Sequence, residues 1–217
     1  LSRMWNGVSS AHEEDGVRRY EKKRLTSMTA RSKFFIAAAF YSCGQPTNDK
    51  PHVLIETGYG DIELELYPDK APITVSNFLK HVDAGLYDHA VFYRVVIPED
   101  GGMVSYGVIQ GGIFNLPEKS KQPGIPHEST GRSGLTHTDG ILSMARTAPG
   151  TASTEFFICL GDQSSLDSGR RGSPDGLGYA AFGKVFSGMK TVRKIQDQPA
   201  EGDLFKIAIP INKVSRL

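Results

Sequence analysis

An arginine sits in the middle of an otherwise apolar run, Val91-Phe-Tyr-Arg-Val-Val-Ile97. In a strand of strict alternation, Phe92, Arg94 and Val96 share one face, and Tyr93 and Val95 share the other. A guanidinium on the same face as a phenylalanine and a valine is either paired or put to use, because burying it alone is costly. Gln110-Gly-Gly112 offers a side-chain amide next to two residues that have no side chain. Leu142–Leu160 completes the set: two apolar runs, 142–145 and 156–160, flank a stretch of small, polar and turn-forming residues. Small side chains let another chain lie close to the backbone, and aromatics supply a floor. The combination points to a groove for an extended peptide, with Phe157 in or near it.

Other chemistries find little support. His81 and His89 fall in different elements, and His127 and His137 share a loop without a third ligand at metal spacing, so neither a metal nor a cofactor is expected. Glu63 and Glu65 read as the solvated face of a strand. The glycine-rich segment Gly169–Gly178 lacks the lysine of a phosphate loop, and no Gly-x-Ser-x-Gly elbow is present. The net charge of +1 divides unevenly. Residues 1–50 hold nine Lys/Arg against five Asp/Glu, net +4, and residues 51–217 hold sixteen against nineteen, net −3. A nucleic-acid partner is therefore not expected for the main part of the chain. Of the two cysteines, Cys159 lies in an apolar run and reads as a small buried hydrophobe, and no disulfide to Cys43 is expected.

The elements that must position these residues are mostly strands. The 217 residues, 39% apolar with 24 glycines and 12 prolines, suit one turn-rich domain and an appendage. Val53–Thr57 and Asp61–Tyr67 flank Gly-Tyr-Gly and read as a hairpin, with Ile62, Leu64 and Leu66 facing inward. Thr74 reads as the N-cap of a helix over 75–84, whose apolar face is Val75, Phe78, Leu79 and Val82, with Leu86 beyond it, and Gly85 as its left-handed stop. Further strands are expected at 91–97, 108–110, 141–145, 155–160, 180–186 and 206–211, and a second helix at 188–197 with Met189, Val192 and Ile195 inward. The long, proline-punctuated stretch 113–140 reads as a wrap around a surface or a site. Eight strands not interleaved with helices argue for an antiparallel sheet or barrel, with the two helices covering its ends.

Residues 1–51 read as a separate tail and linker. Segment 12–24 is charge-dense and weakly periodic, and Gln45–Pro51 is a linker. Between them, Met28–Lys33 is basic, Phe34–Tyr41 is apolar, and Ser42-Cys43 follows. That is the outline of a secretory or lipoprotein signal. An unstructured tail on a cytoplasmic protein is the alternative, so envelope and cytoplasm both stay open. No run approaches the ~20 apolar residues of a membrane span, which leaves a lipid anchor as the one membrane contact expected.

The order Phe92-Tyr-Arg-Val-Val96, Val108-Ile-Gln-Gly-Gly112, Gly140-Ile-Leu-Ser-Met-Ala145, Glu155-Phe-Phe-Ile-Cys159 and Ala181-Phe-Gly-Lys-Val185 closely resembles the cyclophilin family of peptidyl-prolyl cis-trans isomerases. The resemblance spans about 52–215. It implies a closed eight-stranded antiparallel β-barrel capped by two α-helices, acting as a monomer on proline-containing peptides and on unfolded or folding proteins. Arg94, Gln110 and Phe157 would then be catalytic, Arg94 donating near the proline nitrogen and Gln110 helping to hold it. Phe92, Val108, Phe157 and Leu166 would form the proline pocket. Ala145, Arg146 and Thr147 would pair with the peptide backbone, and Tyr93, Glu155 and Tyr179 would complete the substrate-binding set. The segments between Arg94 and Gln110 and at Asp167–Gly178 are longer than in the best-known members, which implies a divergent, bacterial-like branch.

This chain departs from the family at several of those positions. Val108 replaces a methionine, Arg146 an asparagine and Glu155 a glutamine. The new carboxylate is expected to pair with Arg94 or Arg146 and to favour basic substrates. Ser165 or Leu166 falls where many members have tryptophan, and Tyr179 where they have histidine. That tryptophan binds cyclosporin-type inhibitors, so weak inhibition is implied. Two rival readings stay open at this point: a cyclophilin-like module that grips proline peptides without turning them over, and a small-ligand barrel of the lipocalin kind, against which the Gly-Gly and Phe-Phe-Ile motifs speak. The signal reading predicts a mature N-terminus at Cys43 carrying added lipid mass. Mass spectrometry of the natural protein checks this, and an intact segment 28–42 overturns it.

Overall fold

The computed structural model describes residues 50–97, 107–114, 116–118 and 122–217. The expectations for residues 1–49, including the signal and Cys43, lie outside them. Strands β1 (His52–Thr57), β2 (Gly60–Leu66), β3 (Val91–Val96), β4 (Gly107–Gly112), β5 (Ile141–Met144), β6 (Phe156–Leu160), β7 (Ala180–Ser187) and β9 (Leu204–Arg216) close a barrel. The order is β1-β2-β7-β5-β6-β4-β3-β9, with β9 pairing back onto β1 and every neighbour antiparallel. The two-residue strand β8 (Ala200–Glu201) adds a short hairpin to β9. Helices α1 (Pro72–Asp83) and α3 (Met189–Gln196) are the expected pair, and a single turn, α2 (Thr130–Ser133), is a third.

The periodicities that pointed to these elements correspond to real faces. Ile62, Leu64 and Leu66 of β2 are completely buried, as are Phe78 of α1 and Val192 and Ile195 of α3. Gly85 takes the left-handed conformation after α1, at φ 64°. Cys159 is also fully buried, and burial pushes its thiol pKa up, away from reactivity. The centre of the core is aromatic. Phe156 meets Phe78, Tyr87 and Phe92 edge-on at ring separations of 5.7, 5.6 and 5.9 Å. Edge-to-face contacts of this kind add to the area each ring buries. The Tyr87 hydroxyl, carried into the core with its ring, donates to the Thr154 carbonyl at 2.9 Å.

Three sequence expectations change. The last strand runs to thirteen residues, longer than 206–211, because it continues past Pro210 to pair with β1 over residues 211–216. Helix α1 starts two residues before Thr74, with Pro72 in its first turn. Thr74 is therefore inside the helix, and the cap comes from Glu128 in the long 113–140 wrap. Its carboxylate accepts from the Thr74 N–H at 2.8 Å, the Ile73 N–H at 3.2 Å and the Thr74 hydroxyl at 2.7 Å. A negative charge at a helix N-terminus also complements the helix dipole. Such a cap, 54 residues away in sequence, leaves no local signal.

The third change concerns β3. Alternation fails between Phe92 and Arg94, in the pairing with β4 and in the pairing with β9. Phe92 stands opposite Gly111 and Arg94 opposite Gln110, so Tyr93 is the inserted residue of a bulge. The bulge resets the faces. Phe92 and Val95 enter the barrel core, while Tyr93, Arg94 and Val96 face the groove on the other side of the strand.

The Glu128 cap yields a stability prediction. Glu128→Ala is expected to cost about 1–2 kcal/mol by strandng the α1 donors, read from denaturant unfolding. A change below ~0.3 kcal/mol would show that the cap contributes nothing.

Candidate active site

A groove of about 580 Å³ opens on the face of the barrel that carries Arg94. Of the twelve residues expected there, Tyr93, Arg94, Val108, Gln110, Ala145, Arg146, Thr147, Glu155, Phe157, Leu166 and Tyr179 line it. Phe92 does not. It is completely buried in the barrel against Phe156, because the β3 bulge turns it inward.

The Gln-Gly-Gly motif is explained by what a side chain would hit. A Cβ on Gly111 would stand 2.9 Å from the Phe92 ring. On Gly112, at φ +148°, it would stand 2.5 Å from the Glu155 carboxylate. The two glycines thus admit the inward Phe92 and the buried Glu155. Gln110, just before them, is left to face the groove.

Arg94 is held from both sides. Its Nη1 donates to Gln110 Oε1 at 3.3 Å, and its Nη2 to Asp203 Oδ2 at 2.7 Å. Asp203 lies in the turn between β8 and β9, whose backbone carbonyl also accepts from the Val95 N–H at 2.8 Å. Sequence reading missed Asp203 because an acid in a short turn carries no distinguishing pattern. The Arg94 side chain remains 39% exposed and lines the groove.

Among the described residues, the hydrogen bonds of Glu155 run to neither Arg94 nor Arg146. It accepts from the Tyr93 hydroxyl at 2.7 Å, the Ile113 N–H at 3.1 Å and the Thr154 hydroxyl at 3.0 Å. Burial, and then the neighbouring Glu155, raise the Tyr93 phenol pKa, so Tyr93 stays a proton donor. Arg146 instead makes a two-pronged contact to Asp175, at 2.7 and 2.9 Å, and its Nε donates to the Gly178 carbonyl at 3.0 Å. Arg146 holds the Asp175 carboxyl well below the usual carboxylate range. Its guanidinium also lies over the Tyr179 ring, 5.3 Å from the centroid. The extra length at 167–178 is therefore latched to the strand side of the groove by the residue that departs from asparagine.

The apolar floor is Phe157, only 4% exposed, packed with Val108, Ala145, Leu166 and Tyr179 in a cluster separate from the barrel core. Beneath it lies a group absent from the expected site. His137 stacks on Phe157 at 5.9 Å with planes 15° apart. Its Nδ1 lies 2.6 Å from Asp167 Oδ1 and its Nε2 lies 3.0 Å from Ser143 Oγ. With Asp167 accepting from Nδ1–H, Nε2 is left to accept from the serine hydroxyl. Burial lowers the His137 pKa, against the opposing pull of Asp167. The order Asp-His-Ser matches a hydrolase triad, but Ser143 is completely buried, so the string props the aromatic floor and has no path to a substrate. Three polar residues from separate loops and strands had no common spacing by which to be found.

Residues 52–216 match the family described as cyclophilin type peptidyl-prolyl cis-trans isomerase. The chain is 40% identical over 178 residues to peptidyl-prolyl cis-trans isomerase A of Dickeya dadantii, covering 82% of each chain. It is also 40% identical over 146 residues to peptidyl-prolyl cis-trans isomerase B of Escherichia coli, covering 66% of this chain and 83% of that one. A crystal structure of a cyclophilin type isomerase of Cryptosporidium parvum, obtained in the presence of the dipeptide Ala-Pro, superposes with a TM-score of 0.61 at 25% identity. That superposition covers 76% of this chain and 97% of the other. The barrel and the groove on its face therefore have a family: this chain belongs to the cyclophilin-type peptidyl-prolyl cis-trans isomerases.

The groove bears on the inhibitor expectation. Leu166 and Tyr179 line it, and the chain's single tryptophan is Trp5, outside the described residues. Cyclosporin-type macrocycles are expected to inhibit weakly in a titration of isomerase activity. An inhibition constant in the nanomolar range would overturn this.

Proposed function

We propose that the groove binds an extended proline-containing peptide and accelerates cis/trans interconversion of its X-Pro bond, with Arg94 as the catalytic donor. The observation that carries this reading is a guanidinium held at Gln110 and Asp203 beside an apolar floor of Phe157, Val108 and Leu166. The floor suits a proline ring. Ala145–Thr147 suit the peptide's backbone, the small Ala145 permitting close approach in the manner of an added strand. Tyr179 and the latched Arg146 wall the groove.

The chemistry needs no covalent intermediate. An X-Pro amide resists twisting with a barrier of about 18–20 kcal/mol, and removing about 7 kcal/mol gives a ~10⁵-fold acceleration. As the bond twists, the nitrogen regains its lone pair. A donor aimed at that nitrogen meets the twisted amide better than either planar form, and this difference is what lowers the barrier. Arginine suits the role because it stays charged and presents a rigid fork of donors. Gln110 and Asp203 occupy part of that fork and leave the rest for the substrate.

Two-dimensional exchange NMR on an Ala-Pro peptide tests the reading. The wild-type protein is expected to accelerate exchange by orders of magnitude, and Arg94→Ala to lose about 10²–10³-fold of that rate. Equal, negligible acceleration by both would leave a proline-binding module with no isomerase activity.

A further inference from the structure

The side-chain amide of Gln110 has two ends of opposite character. Its Oε1 accepts from Arg94 and its Nε2 donates to the Tyr93 hydroxyl oxygen. If the amide turned over, an NH₂ group would face a guanidinium, donor against donor. Something must therefore hold it one way round, and Gln110 itself is only partly buried.

We infer that Tyr93 and Glu155 are positioning residues that fix the direction of the Gln110 amide, and through it the placement of Arg94. The inference rests on the isomerase reading above. The direction begins at Glu155, 7% exposed, whose oxygens receive three donors among the described residues, one of them the Tyr93 hydroxyl. A carboxylate offers only lone pairs, so it takes the tyrosine's single proton. The tyrosine oxygen is then left with lone pairs alone toward Gln110, and only the NH₂ end of the amide satisfies it. The carbonyl end must face Arg94. Each link has one permitted polarity, and the choice is made at the carboxylate.

The carboxylate is itself fixed by one backbone N–H and one neighbouring hydroxyl. The Ile113 N–H and the Thr154 hydroxyl hold it from the ends of two different segments, and Gly112 lies against it with no room for a side chain. Tyr93 occupies the bulge, the one position of β3 that points a side chain between Gln110 and Glu155. The departure from glutamine at position 155 thus acquires a role different from recruiting basic substrates. A glutamine there has a donor end as well as acceptors. It lets the Tyr93 proton turn toward Gln110 and the amide reverse.

The test is a double-mutant cycle on the full chain, with kcat and KM measured separately for an Ala-Pro peptide. Tyr93→Phe and Glu155→Gln are each expected to lower kcat about ten- to a hundredfold by misplacing the donor, with KM changed less than about twofold. In a Gln110→Ala background, Tyr93→Phe is expected to cost nothing further, because the amide it orients is gone. A Tyr93→Phe loss of the same size in both backgrounds, or one confined to KM, overturns the inference. Side-chain ¹⁵N spectra give a readout independent of turnover. The Gln110 NH₂ protons should show contacts to the Tyr93 ring in the wild type, and contacts to the Arg94 guanidinium in Glu155→Gln. If the wild type shows the first contact yet fails to accelerate exchange, the isomerase reading falls and the amide's direction stands. If the NH₂ group already faces Arg94 in the wild type, the inference falls.

Discussion

Tyr93 stands opposite no residue in the register of either neighbouring strand, and much of the groove depends on that. An antiparallel strand with unbroken alternation would place Phe92 and Arg94 on one face. A charged fork would then either enter the core with the phenylalanine or pull the phenylalanine out with it. One inserted residue separates the two demands. The apolar ring goes to the barrel, the cation to the groove, and the inserted residue becomes a bridge between them. The β8–β9 turn docks at the same place, with the Asp203 carbonyl on the Val95 N–H and its carboxylate on Arg94.

The wall that carries the groove is one strand thick, and neighbouring residues of β6 serve opposite sides of it. Phe156 joins the aromatic centre of the core, and Phe157 forms the floor of the groove. Interiors packed at crystal-like density hold their side chains within narrow limits. A shift of Phe156 against Phe78, Tyr87 or Phe92 is therefore passed to Phe157 through the backbone they share. His137 supports Phe157 from beneath.

Much of the barrel was legible because its causes are local. Ile62, Leu64 and Leu66 alternate, Val75, Phe78 and Val82 recur at helical spacing, and glycine and proline mark the ends. The groove was legible through motifs that are short in sequence, each delivered by one strand. What escaped were features with partners in distant segments. A bulge is a property of two strands in register, and strict alternation misassigned Phe92 for that reason. The caps and clamps are single acidic residues in loops: Glu128 on α1, Asp203 on Arg94, Asp175 on Arg146. Each looks like an ordinary solvated acid until the chain has folded. Glu155 was seen as a departure, but its partner could not be chosen from charge alone. The nearest unlike charge in sequence is Arg146, whereas the carboxylate's hydrogen bonds run to a phenol, a backbone N–H and a threonine hydroxyl.

The two arginines of the groove are both held by acids from loops, yet they differ in how water reaches them. The Arg94 and Asp203 side chains are 39% and 53% exposed, whereas those of Arg146 and Asp175 are 3% and 29% exposed. Mobile ions screen exposed charges over about 8 Å at physiological ionic strength, and sheltered pairs much less. Salt therefore reaches the two grips unequally. Rising ionic strength weakens the ionic hold on the Arg94 donor more than the latch on the wall beside it, and the two halves of the groove answer unequally to the protein's surroundings.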